Sequence, residues 1–265
     1  MANRHVANSS SPFDTLAFTY DDEFSSSPLG RTLRSAVWRR IEPHLRPGGT
    51  ALELGCGTGI DALGLAEAGM RVVAVDSSKR MVDVARERCR GVPEAVRVEL
   101  GDISDLEAVA GCAGPFDLVL SDFGALNCVD DLGSALRSIA GRLGPEGAVV
   151  AVIMGRFVPW EWVWMVRSGR PGSAFRRLRP GGAEWRGIRI RYHTVGGVRR
   201  AARSAGLEVR RVAGLGSLLP TTEARAWIGR HNWLMRSLNG LERQFETVPP
   251  LPQLADHLLV ELGPS

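Results

Sequence analysis

The sequence predicts an α/β domain built on a parallel sheet, and its first segments carry the prediction. An apolar run over 51–54 has the length and composition of a buried strand, and three glycines within five residues follow it directly. A helix over 61–68 comes next, and then a second apolar run over 71–75 that ends in Asp76. Strand, glycine loop, helix and strand in this order are typical of a Rossmann-type unit.

The glycine loop and Asp76 together predict a binding site for a ligand that contains a ribose. Gly55, Gly57 and Gly59 remove side chains, so the backbone can approach a ligand closely. Asp76 follows Gly55 by 21 residues, the separation at which an acidic side chain reaches a ribose in such a unit. A dinucleotide fingerprint would need glycine at position 60, where the chain has Ile60.

The whole string Glu53-Leu54-Gly55-Cys56-Gly57-Thr58-Gly59 resembles the signature of class I methyltransferases that use S-adenosylmethionine. The resemblance covers most of residues 13–262 and is strongest over 50–153. It implies S-adenosylmethionine as cofactor, S-adenosylhomocysteine as product, and a Rossmann-like seven-stranded sheet in the order 3-2-1-4-5-7-6 with an antiparallel seventh strand. It implies cofactor contacts from Glu53, Gly55, Cys56, Gly57, Gly59, Asp76, Ser77, Met81, Gly101, Asp102, Ile103, Ser121, Phe123, Tyr20 and Arg34.

The expected adenine site follows the third predicted strand, 96–100. In the family, a matching Gly-Asp pair lies beside the adenine, so Asp102 is expected to accept a hydrogen bond from its exocyclic amine. Met81 and Ile103 would then enclose the ring. The alternative is that Asp102 caps a helix and that both apolar side chains belong to the core.

A helical N-terminal lid is expected over 1–48, with residues 1–12 disordered and a helix over 30–45. The family resemblance implies that Tyr20 closes the site and that Arg31 or Arg34 pairs with the methionine carboxylate. The alternative is that both arginines are solvated helix residues.

The rest of the single domain, 1–265, is expected to comprise a cofactor-binding core over 49–153, two substrate-cap inserts and the end of the sheet. The inserts are 154–194 and 213–255, and the remaining sheet segments are 195–212 and 256–265. All seven tryptophans lie outside 50–153, and we expect aromatic residues of the inserts to wall a substrate pocket. The alternative is a cap core that packs only on itself. The second insert is also predicted to contain an amphipathic helix, in which these residues recur at helical spacing: Ala224, Trp227, Ile228, His231, Trp233 or Leu234, Leu238 and Leu241.

Candidate substrate contacts come from the inserts and from the end of the fourth predicted strand, 116–121. At that strand end, DNA and glutamine N-methyltransferases usually show Asn/Asp-Pro-Pro-Tyr/Phe, which is missing here. The expected substrate contacts are Asp122, Asn127, Trp160, Trp185 and His231.

Methyl transfer from a sulfonium is an in-line displacement in which the protein mainly positions the reactants, so no metal is required. A general base helps when the acceptor is a hydroxyl, a phenol or an acidic carbon. The candidate bases are Glu161, Tyr192 and His193. Glu161 lies between tryptophans, where desolvation would raise its pKa, and the alternative is that it pairs with an arginine.

Composition limits the partners. Residues 167–211 contain 13 arginines against two acids, which would attract an anionic substrate or, less favourably, a nucleic acid, although a GC-rich genome would also enrich arginine. The four cysteines form no C-x-x-C pair, and no apolar run reaches 18 residues. Together with the family resemblance, these features lead us to expect a cytoplasmic monomer or homodimer that methylates a small molecule in specialised metabolism, with no membrane and no metal. The alternatives are an RNA methyltransferase and a non-methylating S-adenosylmethionine-binding protein.

Overall fold

The computed structural model describes residues 11–220 and 231–265, and its centre is a seven-stranded sheet. The strand order is β3-β2-β1-β4-β5-β9-β8, with β9 antiparallel to both of its neighbours, which confirms the predicted sheet. Its strands are β1 Thr50–Leu54, β2 Arg71–Asp76, β3 Val96–Leu100, β4 Phe116–Ser121, β5 Leu143–Met154, β8 Leu207–Leu215 and β9 His257–Pro264. The strands β6 Ala183–Trp185 and β7 Ile188–Ile190 form a separate hairpin.

Helices cover both faces of the sheet because the central strands are apolar on both sides. One core cluster joins the sheet to α1 Pro28–Ile41, α2 Ile60–Glu67 and α3 Lys79–Arg88. The cluster on the opposite face joins it to α4 Leu132–Ala140 and α7 Val195–Ser204. The described helices of the two inserts are α5 Pro159–Arg167, α6 Pro171–Ala174 and α8 Asn232–Phe245.

Several predicted boundaries differ from the structure, all near strand ends. The strand β5 starts early, at Leu143, because Leu143 already pairs with Phe116 across an irregularity in the ladder. The strand β8 continues to Leu215, so the second insert starts later than residue 213. The hairpin β6–β7 in the first insert was not predicted.

Part of the sequence interpretation falls outside the described residues. The expected disorder over 1–12 concerns mainly residues 1–10, and the start of the amphipathic helix predicted in the second insert includes Ala224, Trp227 and Ile228. None of these residues is described. No helix in 11–220 or 231–265 has the length and apolar character needed to cross a membrane.

A buried ion network anchors the first insert to the start of β9. Arg177 donates from Nε to Glu161 Oε2 at 2.8 Å and from Nη2 to Asp256 Oδ1 at 2.6 Å. The guanidinium also donates to the backbone carbonyl of Gly155 at the end of β5, at 3.0 Å. Because both acids and the arginine are at least nine-tenths buried, the cation is needed to balance the two carboxylates.

Removing this cation should destabilise the fold. We expect Arg177→Ala to lower the free energy of unfolding by about 3 to 5 kcal/mol, because two carboxylates stay buried without a partner. Urea denaturation measures the change, with Arg179→Ala as the control because Arg179 is exposed. A loss no larger than that of the control would contradict the role given to Arg177.

Candidate functional site

A cleft of about 610 Å³ lies at the edge of the sheet where the parallel strands end. This volume falls within the roughly 300 to 1,000 Å³ of ligand pockets in general. The loops after β1, β2 and β4 line the cleft, as do the N-terminal lid and the hairpin β6–β7. Open α/β sheets bind their ligands at this edge, so the topology places the candidate site here.

The glycine loop after β1 adopts a backbone path that side chains would block. Gly55 has a φ of +74°, and a Cβ atom there would meet the Cβ of Ala125 at 2.3 Å. Gly59 has a φ of +77° and lies against Ala85 of α3 in the same way, at 2.9 Å. Gly57, with a φ of +52°, has open space where its Cβ would be. The loop is therefore packed on two sides and free of side chains towards the cleft.

Asp76 ties the glycine loop to the end of β2. Its Oδ2 accepts from the backbone N–H of Gly57 at 2.9 Å, and its Oδ1 accepts from the backbone N–H of Ser78 at 2.8 Å. Burial raises the pKa of Asp76, and the two N–H donors oppose that shift. Both carboxylate oxygens still have lone pairs that can accept from a ribose hydroxyl, and Asp76 and Ser77 both line the cleft.

Behind the loop, three buried acids surround one arginine. Glu53, Asp61 and Asp122 each offer a carboxylate oxygen within 4.8 Å of the other two. Arg34 forms an ion pair with Asp61 and lies 3.7 Å from Asp122 Oδ2. The indole of Trp38 donates to Asp61 at 2.7 Å. This cluster therefore has more carboxyl groups than cations.

The acids of this cluster are not all satisfied by the protein. Both oxygens of Glu53, and Oδ2 of Asp122, have no hydrogen-bond partner among the described residues. Burial raises the pKa of Glu53 well above its usual range, and burial raises the pKa of Asp122 to about 6 despite the opposing charge of Arg34. A bound cationic group would supply the missing partner and hold these acids ionised.

The cofactor implied by the fold fits these residues. S-Adenosylmethionine carries an ammonium group, a carboxylate, a sulfonium and an adenosine. The unpartnered Glu53 and Asp122 suit an ammonium group, and the guanidinium of Arg34, which already occupies part of the acidic cluster, makes the cluster less suited to a metal ion. Asp76 lies on the other side of the glycine loop, where the expected ribose contact would place it, and it accepts from the backbone N–H of Gly57.

The residues expected to contact the adenine lie together in the cleft lining. Met81, Asp102 and Ile103 line the cleft together, as predicted for an adenine site. Asp102 also caps the following helical turn, because its Oδ1 accepts from the backbone N–H and the hydroxyl of Ser104 at 2.8 and 2.7 Å. The cap uses one carboxylate oxygen and leaves the other for a ligand. Gly101 is required for packing, since a Cβ atom would meet Val109 Cγ2 at 2.3 Å.

The N-terminal lid is held over the cleft by polar contacts to the cofactor-binding core. Asp14 accepts from the Ser78 hydroxyl at 2.6 Å, near the start of α3. Asp21 accepts from the Thr58 hydroxyl at 2.7 Å and from Arg88 at 2.5 Å. These contacts hold the lid segment that carries Tyr20, whose pKa is raised by burial and by the charge of Asp122.

Aromatic contacts complete the roof. The ring of Phe13 in the lid lies 6.1 Å from the ring of Trp185 in the β6–β7 hairpin. Phe24 contacts Phe123 of the loop after β4 with a centroid distance of 4.9 Å. Lid, hairpin and loop therefore enclose one chamber from three separate parts of the chain.

The structure places most of the predicted cofactor residues on this cleft. Glu53 and Ser121 are buried behind the cleft. Gly59 packs against α3 and Gly101 packs against Val109, and these contacts support the cleft from below. The predicted residues that line the cleft directly are Tyr20, Arg34, Gly55, Cys56, Gly57, Asp76, Ser77, Met81, Asp102, Ile103, Asp122, Phe123, Trp185 and Tyr192.

Glu161 does not reach the cleft. Its carboxylate is buried and pairs with Arg177, and it also lies 3.0 Å from Arg176 Nε. This is the arginine pairing that the sequence left open as the alternative to a general base. The placement does not suit the predicted proton transfer, since a base must lie within hydrogen-bond reach of the acceptor.

Other predicted site residues lie outside the cleft lining as well. The side-chain amide of Asn127 forms hydrogen bonds with the backbone of two neighbouring segments. It accepts from Met154 N at 2.7 Å and donates to the carbonyls of Met154 and Arg191. His193 forms a backbone bridge to Gly155, and burial lowers its pKa. Trp160 and His231 are partly exposed on α5 and just before α8.

Two residues on the acceptor side of the chamber were missed from sequence. His257 is the first residue of β9 and Asp256 directly precedes it, and both line the cleft. The antiparallel direction of β9 could have indicated both residues. An antiparallel strand begins at the edge of the sheet where its parallel neighbours end.

Comparison with known proteins agrees with the fold and with the glycine loop. Residues 51–147 match the family model described as a methyltransferase domain. Over 135 residues the chain is 37% identical to an uncharacterized 37.1 kDa protein in transposon TN4556 of Streptomyces fradiae, which covers 50% of this chain and 37% of that protein. Over 127 residues it is 35% identical to the ubiquinone/menaquinone biosynthesis C-methyltransferase UbiE of Geotalea uraniireducens, which covers 44% of this chain and 51% of that protein.

Among solved structures, an S-adenosylmethionine-dependent methyltransferase from Clostridium acetobutylicum matches with a TM-score of 0.62 at 12% identity. The match covers 96% of this chain and 100% of that one. Residues 51–147 are therefore similar to a methyltransferase domain, and the fold is that of S-adenosylmethionine-dependent methyltransferases. The chain spans about half or less of the length of the two curated relatives named here.

The ribose assignment predicts the effect of removing Asp76. We expect Asp76→Ala to weaken S-adenosylhomocysteine binding at least about tenfold, because a charge-assisted hydrogen bond is worth about 1.5 to 3 kcal/mol. Isothermal titration calorimetry measures the affinity. Asp83→Ala is the matched control, since Asp83 lies on the exposed face of α3 and pairs with Lys79. An unchanged affinity in Asp76→Ala would remove the ribose assignment.

Proposed function

We propose that this protein transfers a methyl group from S-adenosylmethionine to a small-molecule acceptor held under the lid and the β6–β7 hairpin. The observation that carries the proposal is the continuity of the cleft. One cavity joins the glycine loop and Asp76 to a chamber lined by Phe123, Met154 and Tyr192. A ligand at the first end and an acceptor at the second would therefore meet in one enclosed space.

The chamber fits a small molecule better than a nucleic acid. Its roof is closed by the aromatic contact between Phe13 and Trp185, and a duplex would need an open, basic groove instead. The buried Arg177 is occupied by Glu161 and Asp256, so its charge is not available to phosphates. The curated relative UbiE is named for methyl transfer to carbon in quinone biosynthesis, which also supports a small acceptor.

The bound cofactor would supply an electrophilic methyl group whose leaving group is a neutral sulfide. The chain would then position the reactants and exclude water from the chamber. Glu53 and Arg34 hold the amino-acid end, Asp76 holds the ribose, and the lid excludes water from the chamber. Holding two reactants at the near-attack distance supplies several kcal/mol of the barrier.

The direct test is formation of S-adenosylhomocysteine. The purified protein, incubated with S-adenosylmethionine and a library of phenols, alcohols, amines and acidic carbon compounds, should form S-adenosylhomocysteine with at least one of them, measured by mass spectrometry. Tight binding of S-adenosylmethionine with no turnover on any acceptor, including RNA, would instead favour a non-methylating binding protein. Turnover on RNA alone would favour an RNA methyltransferase.

The position of Trp185 predicts that its replacement weakens acceptor binding and leaves cofactor binding nearly unchanged. We expect Trp185→Ala to raise the KM of the acceptor about tenfold and to leave the S-adenosylhomocysteine affinity within about twofold, because its ring closes the roof with Phe13, whereas the expected ribose contact comes from Asp76. Trp162→Ala is the matched control, since Trp162 packs on Phe175 outside the cleft. Equal losses in both affinities would contradict this division.

A further inference from the structure

His257 lies at the edge of the chamber where methyl transfer is expected to take place. In the ladders it pairs with Met154 at the end of β5 and with Leu215 at the end of β8. Its ring lies 6.3 Å from the ring of Phe123, which follows β4. The carboxyl ends of β4 and β5 and the first residue of β9 thus meet at one edge of the chamber.

Asp256 faces one nitrogen of the His257 ring. Its Oδ2 lies 3.4 Å from His257 Nδ1, within ion-pair range but without a hydrogen bond to that nitrogen, and its Oδ1 accepts from Arg177. Burial alone would raise the pKa of Asp256, but the charge of Arg177 holds it below its ordinary value. Asp256 is therefore an anion that favours a proton on Nδ1, which leaves Nε2 as the acceptor nitrogen.

Hydrogen bonds to its backbone also fix Asp256 in place. The backbone carbonyl of Asp256 accepts from Gly155 N at 2.8 Å and from Arg177 Nη1 at 3.2 Å. Arg177 is in turn held by Glu161. Glu161, Arg177, Asp256 and His257 form a continuous buried chain of charged and polar groups that ends at the cleft wall. An arrangement of this kind orients a histidine for proton transfer.

We propose that His257 is the general base of the reaction and that the acceptor is therefore a group that loses a proton, namely a hydroxyl, a phenol or an acidic carbon. The inference rests on the proposed methyl transfer. In the step, a bond forms between the acceptor atom and the methyl carbon while the bond from that carbon to sulfur breaks and its electron pair stays on sulfur. The proton of the acceptor passes to Nε2 of His257, and later to solvent.

The other ionisable groups of the chamber are less suited to this task. Asp122 belongs to the acidic cluster at the amino-acid end, where Arg34 faces it. Tyr192 lies with its ring 5.0 Å from the guanidinium of Arg177, and burial raises its pKa. The charged groups that face His257 are Asp256 from the preceding residue, Arg177 behind Asp256, and Asp122 from the loop after β4.

The first measurement needs no acceptor. With ¹⁵N-labelled histidine and bound S-adenosylhomocysteine, the NMR signals of His257 should show a neutral ring with its proton on Nδ1. A proton on Nε2 at neutral pH, in either a neutral or a charged ring, would overturn the proposal, because that nitrogen could not accept.

The second measurement uses turnover. We expect His257→Ala to lower the rate of S-adenosylhomocysteine formation from a hydroxyl or acidic-carbon acceptor by at least about 100-fold, the usual contribution of a general base. Added imidazole should restore at least about tenfold of that loss, and the affinity for S-adenosylhomocysteine should stay within about twofold. His44→Ala is the matched control, since His44 lies in the turn after α1, away from the cleft.

The outcomes separate the two proposals. A wild-type protein that does not bind S-adenosylhomocysteine would refute the methyl-transfer proposal, whatever His257 does. Wild-type binding and turnover with a His257→Ala rate within about threefold of wild type would refute only the role of His257. A lost rate that imidazole does not restore, with cofactor affinity lost in parallel, would mean that His257 is structural and would also overturn the proposal.

Discussion

The hydrogen bonds of Asp76 are the interaction on which the site depends. They join the backbone of the glycine loop to the start of α3, so the ends of β1 and β2 are held as one surface. The loop could not take its path with side chains, because Gly55 packs on Ala125 and Gly59 packs on Ala85. The carboxylate of Asp76 and a backbone without side chains are thus parts of one constraint, and the lid residues Asp14 and Asp21 attach to the same surface.

The described residues include two separate groups of buried charged side chains. At the amino-acid end of the cleft, Glu53 has no partner among the described residues and the acids outnumber Arg34, which leaves a demand for a cationic ligand. On the acceptor side, Arg177 is balanced by Glu161 and Asp256 within the protein itself. The first group is therefore suited to binding and the second to positioning, and His257 lies at the cleft end of the second group.

Much of this arrangement could be predicted from the sequence because it is local. Strand, glycine loop, helix and acidic strand end lie within 51–76, and the family resemblance extended them to the whole sheet. The role of Glu161 could not be predicted in the same way. Its tryptophan neighbours correctly suggested burial, but its partner Arg177 comes from a different turn, and only tertiary packing decides which arginine reaches a buried acid. His257 was missed because its importance comes from strand direction and from contacts with residues far away in sequence, such as Phe123 and Met154.

The most direct test of the account is a crystal structure of the protein with S-adenosylhomocysteine. The account predicts that the ribose contacts Asp76, that the adenine lies between Met81 and Ile103, and that the amino group fills the space beside Glu53. It also predicts that the sulfur faces the chamber bordered by Phe123 and His257. Density for the ligand elsewhere, or an empty cleft at saturating ligand, would contradict the account.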